Sequence, residues 1–260
     1  MKHIVMFSGG MGSYLTAKMV VEKYGSDDVV LLFADTMMED EDLYRFMEDA
    51  VKVLGVPLTR IADGRSVWEV FNDVKFLGNS RIDPCSRVLK RELLDKWIKK
   101  NFEPDECVIY MGIDWGEKHR YERLVERKLP YIYKAPMVEE EIMPNREQKM
   151  EILIKDGIKP PRLYGYGFAH NNCGGFCVKA GLAQFRKLYE VMPERYEWHV
   201  QMEKRHREKV PKSRPFLKKT TNGVKRYLWL EEYREEYLEK SIQPSLDEEF
   251  DWGGCGCAID

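Results

Sequence analysis

Short apolar runs alternate with longer segments of helical periodicity through the first two-thirds of the chain, and few architectures accept that order. Ile4-Val5-Met6-Phe7 reads as a buried strand, Tyr14 to Tyr24 as a helix, and Val29 to Ala34 as a second buried strand after the turn signal Gly25-Ser26-Asp27. Asp40 to Leu54 sets Leu43, Phe46, Met47, Ala50, Val51 and Leu54 at 3.6-residue spacing, and Val56 to Ile61 follows as a third strand. Arg87 to Asn101 reads as a helix, Cys107 to Ile113 as a further buried strand, and Asn145 to Asp156 as a helix closed by Gly157. Strands and helices that keep taking turns predict right-handed βαβ crossovers. The fold class is therefore α/β, an open, mostly parallel twisted sheet with helices on both faces.

After Pro160-Pro161 the pattern changes. Residues 163 to 178 are rich in Gly, Asn, Tyr and Cys, as suits an ordered loop that holds a site, and Ala180 to about Arg207 is helical again, with Pro193 starting a second helix. Residues 186–226 carry 13 Lys and Arg against 5 Asp and Glu, a local excess of +8 within a chain of net charge −2. Lys204-Arg205-His206-Arg207 and Lys218-Lys219 are interleaved there with Tyr196, Trp198 and Phe216. That pattern reads either as a solvated helix with an aromatic core face or as a grip on RNA or DNA. The expected division is an α/β domain over 1–185 and a mainly helical, basic C-terminal extension over 186–260 with a cysteine-containing tail. No apolar run approaches the roughly 18 residues of a spanning helix, and no secretory signal pattern opens the chain, so a cytoplasmic location is expected. Six cysteines in that compartment point to metal ligation or redox chemistry rather than disulfides.

The turn after the first strand, Ser8-Gly9-Gly10-Met11-Gly12-Ser13, occupies the favoured phosphate position of an open parallel sheet. Its glycines let the backbone approach an anion, its serines offer hydroxyls, and the next helix presents free N–H groups at its positive end. It matches neither the Walker pattern nor the dinucleotide fingerprint. It resembles the PP-loop of the ATP pyrophosphatase (adenine nucleotide α-hydrolase-like) superfamily. Four further segments, "LLFADTMMEDEDLYRFMEDAVKVLG", "DPCSRVLKRELLDKWI", "MGIDWGEKHR" and "RLYGYGFAHNNCGGFCVKAG", are similar in order to the branch that contains phosphoadenosine phosphosulfate (PAPS) reductases and related sulfurtransferases. The matches cover roughly residues 4 to 181.

The resemblance implies that Ser8, Gly9, Gly10, Gly12 and Ser13 hold the phosphates of ATP or an adenylyl nucleotide, with Phe33, Asp35 and Thr36 near the adenosine. It also implies that Arg120 meets the phosphate or sulfate end, and it singles out Lys90 on a basic helix that also carries Arg87 and Arg91. Many ATP-cleaving members carry Asp where this chain has Gly12, so magnesium handling would fall to Asp35, Glu39 or Asp114. The plainer reading takes Glu39 to Asp42 as a solvated helix start.

Cys173 and Cys177 lie in one Gly-rich loop and Cys255 and Cys257 in another, which suggests sulfur ligation of zinc or of an iron–sulfur cluster. By the resemblance, Cys85, Cys173 and Cys177 are three cluster ligands and Cys255 or Cys257 the fourth, leaving one thiol as sulfur carrier or nucleophile. Alternatively the two pairs form a zinc site and Cys85 is the reactive thiol. Cys107 reads as a core residue and His170 as a loop histidine rather than a general acid–base. His199 and His206, seven apart, are poorly spaced for a metal. The implied activity is sulfur transfer to an adenylated target, with RNA or DNA as acceptor and a thiol or sulfur-donor protein as partner. Reduction of PAPS or adenylyl sulfate and a non-catalytic binding module are the alternatives.

Overall fold

The computed structural model describes residues 1–78, 82–221, 223–240 and 242–253. Its centre is a five-stranded, wholly parallel sheet, from β1 (Lys2–Met6), β2 (Val29–Asp35), β3 (Leu58–Ala62), β4 (Cys107–Tyr110) and β5 (Ile132–Lys134), in the order β3-β2-β1-β4-β5. The chain winds outward from β1 on one side, then returns to start again on the other. The crevice between β1 and β4 is thus the topological switch point, where ligands of such sheets bind beyond the strands' carboxyl ends.

The apolar runs form this sheet because both of its faces are covered. Val5, Leu31 and Phe33 pack on one face against α1 (Met11–Tyr24) and α2 (Glu41–Leu54). Ile4, Leu32 and Ile109 pack on the other against α4 (Leu93–Asn101) and α5 (Lys118–Arg127). α3 (Val67–Val74) starts in a capping box, in which Ser66 accepts from Glu69 N–H, and buries Trp68 and Phe71 in a third core cluster. That cluster gathers the loop around Phe176, α7 (Leu182–Val191), α8 (Pro193–Lys209), and Leu217 and Leu228 of a hairpin, β6 (Leu217–Thr221) with β7 (Val224–Leu228). Between β5 and the cysteine loop, α6 (Arg146–Lys155) begins in a second capping box, Asn145 with Gln148.

The expected strands and helices recur with shifted ends. α1 starts at Met11 rather than Tyr14, because glycines in a first turn hide a helix start. The helix expected over Arg87 to Asn101 is a short helix at Pro84–Ser86, a π-helical turn at Arg87–Glu92, and α4. The expected Cys107–Ile113 strand ends at Tyr110. β5 and the hairpin are additions to the sequence reading. Among the described residues, no helix is long and apolar enough to cross a membrane.

Candidate functional site

The glycine turn is held by its neighbours from four directions. Gly9 has φ +75°, and a Cβ there would lie 2.8 Å from Leu43 Cγ and Met47 Cε on α2. Its carbonyl accepts from Asn171 Nδ2 at 2.9 Å, and Tyr164 Oη lies 3.4 Å from the Met11 nitrogen. On the far side, a Cβ on Gly112, in the loop after β4, would sit 2.9 Å from the Ser13 nitrogen. Only glycine lets the β4 loop lie this close to the start of α1. Ser13 Oγ donates to the Gly10 carbonyl at 2.8 Å, and Ser8 Oγ lies 3.3 Å from Ser13 Oγ.

This packing fixes where the first turn of α1 points. Gly10 is the N-cap and caps with no side chain, so the N–H groups of Gly10, Met11, Gly12 and Ser13 are the ones the helix itself leaves unpaired. The first turn contains no acidic residue, so the positive end of this 14-residue helix is not neutralised from within. Ser8 is solvent-exposed and Ser13 buried. An anion could approach the turn from the side of Ser8, at the switch point between β1 and β4.

Beyond β2 the polar residues are tied to one another. Asp35 is fully buried: Oδ1 accepts from Met37 N–H at 2.7 Å, Tyr44 Oη donates at 3.0 Å, and Arg60 pairs with Oδ2 at 2.5 Å. Burial and this carboxylate push the Tyr44 phenol above its ordinary value, so it stays a donor. The Phe33 side chain lies in the sheet core and its position in β2 is paired with Arg60 of β3, so its side chain does not face the strand end where the resemblance set the adenosine.

Glu39 and Asp40 correct the expectation of a solvated helix start. Glu39 has a side chain only 1% exposed, because it accepts from Cys173 N–H at 2.6 Å and from Thr36 Oγ1 at 3.0 Å and pairs with Lys90 Nζ at 3.5 Å. Asp40, 1% exposed, caps α2 through Asp42 N–H and accepts from Arg162 at 2.9 Å. Burial here follows from partners distant in the sequence.

Three of the singled-out cysteines meet. Cys85, Cys173 and Cys177 line one cavity of about 20 Å³ with Thr36, Asp83 and Lys90. That volume holds one water-sized group, so a nucleotide must lie outside it. Three thiol sulfurs are by chemistry a donor set for zinc or an iron–sulfur cluster. Among the described residues, no group of three His, Cys, Asp or Glu side chains is arranged to hold a metal ion. Cys255 and Cys257 lie outside the described residues.

No protein-family model matches the chain. It is 26% identical over 202 residues to an uncharacterized protein of Methanocaldococcus jannaschii, a match that covers 75% of this chain and 40% of that protein. The chain thus spans about 40% of the length of that curated relative. In structure it is similar to the PAPS reductase of Candida auris, solved as a phosphate complex, with a TM-score of 0.43 and 14% identity over 64% of this chain and 77% of that one. It is also similar to a predicted subunit of tRNA methyltransferase from M. jannaschii, with a TM-score of 0.34 and 16% identity over 62% of this chain and 91% of that one.

The remaining candidates separate. Arg120 stands in the first turn of α5 and pairs with Glu117. Asp114 is engaged by Lys149 at 3.0 Å, and Arg91 by Asp83 at 2.9 Å. Cys107 is 1% exposed, and burial pushes its thiol up. His170 is exposed, whereas His199 is fully buried, accepts from Trp68 Nε1 at 3.1 Å and stacks on Phe176. His206 is held by Asn72 at 2.8 Å and Ser213 at 3.1 Å. Within 186–226, Lys187, Lys204, Lys219 and Arg226 are paired with glutamates.

Tyr164, Asn171 and Arg195 were not singled out from the sequence. Arg195 donates to the Met38 carbonyl at 2.6 Å, tying α8 to the loop after β2. Tyr164 and Asn171 lie in the family-like segment 162–181 and in a loop rich in Tyr and Asn, but neither signal gave them a role.

Proposed function

We propose that the chain is a PAPS reductase-like PP-loop enzyme that binds ATP or an adenylyl-type nucleotide and transfers sulfur to an adenylated target. The observation that carries this reading is the position of the thiol cavity. Cys85, Cys173 and Cys177 share it with Thr36, the residue that follows β2, and β2 lies beside the strand that feeds the glycine turn. The glycine turn and the three thiols therefore stand at the same end of one sheet.

In this reading Ser8, Gly9, Gly10, Gly12 and Ser13 receive the phosphates, and the amides of the α1 start supply a fixed positive field. The ends of β2 and β3 border the adenosine, with Asp35 held immobile by Tyr44 and Arg60. By the family resemblance Arg120 would meet the anionic end in exchange for its partner Glu117. An oxygen of the target attacks the α-phosphorus of ATP and expels pyrophosphate; a sulfide-level sulfur from a donor then attacks the activated carbon and expels AMP with the bridging oxygen. Glu39 orients the Cys173 backbone and holds Lys90 beside the thiols. Cys85, Cys173 and Cys177, with Cys255 or Cys257, are the thiols this reading would offer to an iron–sulfur or zinc centre, which would supply a thiolate-ligated Lewis-acid or redox site, although the three described thiols are not arranged to hold a metal ion. Magnesium would accompany the nucleotide rather than a carboxylate at Gly12.

The test is product analysis. Pyrophosphate released from ATP in the presence of a nucleic-acid acceptor and sulfide supports this reading. Sulfite released from PAPS with a dithiol reductant would instead make the chain a sulfonucleotide reductase, and nucleotide binding with neither product would make it a binding module.

A further inference from the structure

The hairpin has two faces that treat their cations differently. Register pairs Leu217 with Leu228, Lys219 with Arg226, Lys218 with Tyr227 and Thr220 with Lys225, and directly paired residues share a face. Leu217 and Leu228 are fully buried, so their face is the inner one, and its two cations are each met by a carboxylate: Lys219 by Glu248, and Arg226 by Glu236 at 2.6 Å. The outer face carries Lys218, Thr220, Lys225 and Tyr227, all exposed.

Lys218, Lys225 and Tyr227 line a hollow of about 740 Å³ together with Arg214 and Phe76. None of Arg214, Lys218 and Lys225 has a carboxylate partner among the described residues. Asp251 is the one carboxylate among the described lining residues, and it is engaged by Leu182 N–H at 3.2 Å. Phe76 and Tyr227 expose 38% and 53% of their surfaces there. Val178 lines both this hollow and the thiol cavity.

We propose that this hollow is the docking groove for an unpaired stretch of RNA, whose phosphates meet Arg214, Lys218 and Lys225 and whose bases stack on Tyr227 and Phe76. Three cations without a carboxylate partner among the described residues, beside two exposed rings, match a charged backbone that carries flat apolar groups, which a folded acidic protein does not offer. A base stacked within a paired duplex has no face to give to Tyr227, so the strand must be single. The hydroxyl of Tyr227, in the lining of the hollow, suits a ribose 2′-hydroxyl, the group that marks RNA. The inference rests on the proposed sulfur transfer for its meaning, since it names the acceptor and lays it beside the thiols. Its binding test does not depend on turnover.

The test is fluorescence polarisation of an unstructured, mixed-sequence 20-nucleotide RNA against the full chain. Binding should weaken about tenfold or more between 50 and 200 mM salt, as for several phosphate contacts. Lys218→Glu with Lys225→Glu should lower affinity at least about tenfold, and Tyr227→Ala about fivefold or more. Lys99→Glu with Lys100→Glu, an equal charge change on exposed α4 residues, should leave it unchanged, and ATP binding should survive in every variant. Equal loss in the α4 control, undiminished binding after reversal at the hairpin, or equal affinity for DNA of the same sequence would overturn the assignment. RNA bound through the hairpin without any pyrophosphate release would keep the groove and refute the transfer reaction. Pyrophosphate release that ignores the hairpin variants would do the reverse.

Discussion

The carboxyl end of the sheet and the part built on α8 and the hairpin both bury charge, but they bury it differently. At the sheet end each buried carboxylate has several partners: Asp35 holds Met37 N–H, Tyr44 and Arg60, and Glu39 holds Cys173 N–H, Thr36 and Lys90. Around α8, Glu203 is 1% exposed and, among the described residues, accepts only from Leu230 N–H at 2.8 Å, with its other oxygen lacking a hydrogen-bond partner there. Burial raises its pKa to about 8. Cations show the converse, since those around Asp35 and Glu39 are paired whereas those on the outer hairpin face have no carboxylate partner among the described residues. A fully partnered group fixes loop geometry, and an unpartnered one leaves charge for pH or a ligand to act on.

The largest break in that contrast is expected at Glu39. Glu39→Ala takes one acceptor from Cys173 N–H, Thr36 and Lys90 together, and should lower the unfolding free energy by about 4 kcal/mol in urea titrations, since a broken buried ion pair typically costs that much. A loss below about 1 kcal/mol would show that the network does not hold the two loops. Gly9→Ala should follow at about 3 kcal/mol, because φ +75° and a Cβ 2.8 Å from Leu43 and Met47 combine backbone strain with overpacking.

Glu203→Gln sharpens the comparison through pH. The unfolded carboxylate releases its proton near 4.5, whereas the folded group holds it up to about 8, so the native state binds the extra proton across that window and stability falls as pH rises through it. Wild type should lose about 2 kcal/mol more than the glutamine variant between pH 6 and pH 8, read from urea unfolding at each pH. His199 acts in the opposite sense. Burial holds its pKa well below 6.5, so below that pH only the unfolded chain takes up the proton, and acid destabilises the fold. The smallest expected effect is Lys218→Ala, within about 0.5 kcal/mol in thermal unfolding, as for an exposed side chain without a partner.

How far the sequence could show this differs between the same two regions. The sheet was legible because Ile4 to Phe7 and Val29 to Ala34 are apolar on both faces, and the glycine turn because its backbone demands exclude most side chains. Glu39 was not legible: its neighbours Glu41 and Asp42 look like a solvated helix start, and its partners Lys90 and Cys173 stand 51 and 134 residues away. Cys85, Cys173 and Cys177 line one cavity together with Thr36, which the resemblance had set beside the adenosine, and periodicity alone joins none of them. The hairpin was missed despite Asn222-Gly223, a strong hairpin signal in the sequence, because Lys218, Lys219, Lys225 and Arg226 conceal strands whose only apolar inward anchors are Leu217 and Leu228.

The central claim, that the turn from Ser8 to Ser13 receives nucleotide phosphates, is tested most directly by calorimetric titration of ATP into wild type and Gly10→Asp. At Gly10, φ is −94° and a Cβ would meet Tyr164 Oη at 3.4 Å, so aspartate fits and should cap α1 well while placing a carboxylate where phosphate is to bind. The account predicts saturable ATP binding by wild type and at least a tenfold loss in the variant, with an equal or higher melting temperature. Equal ATP affinity in the two proteins would contradict it.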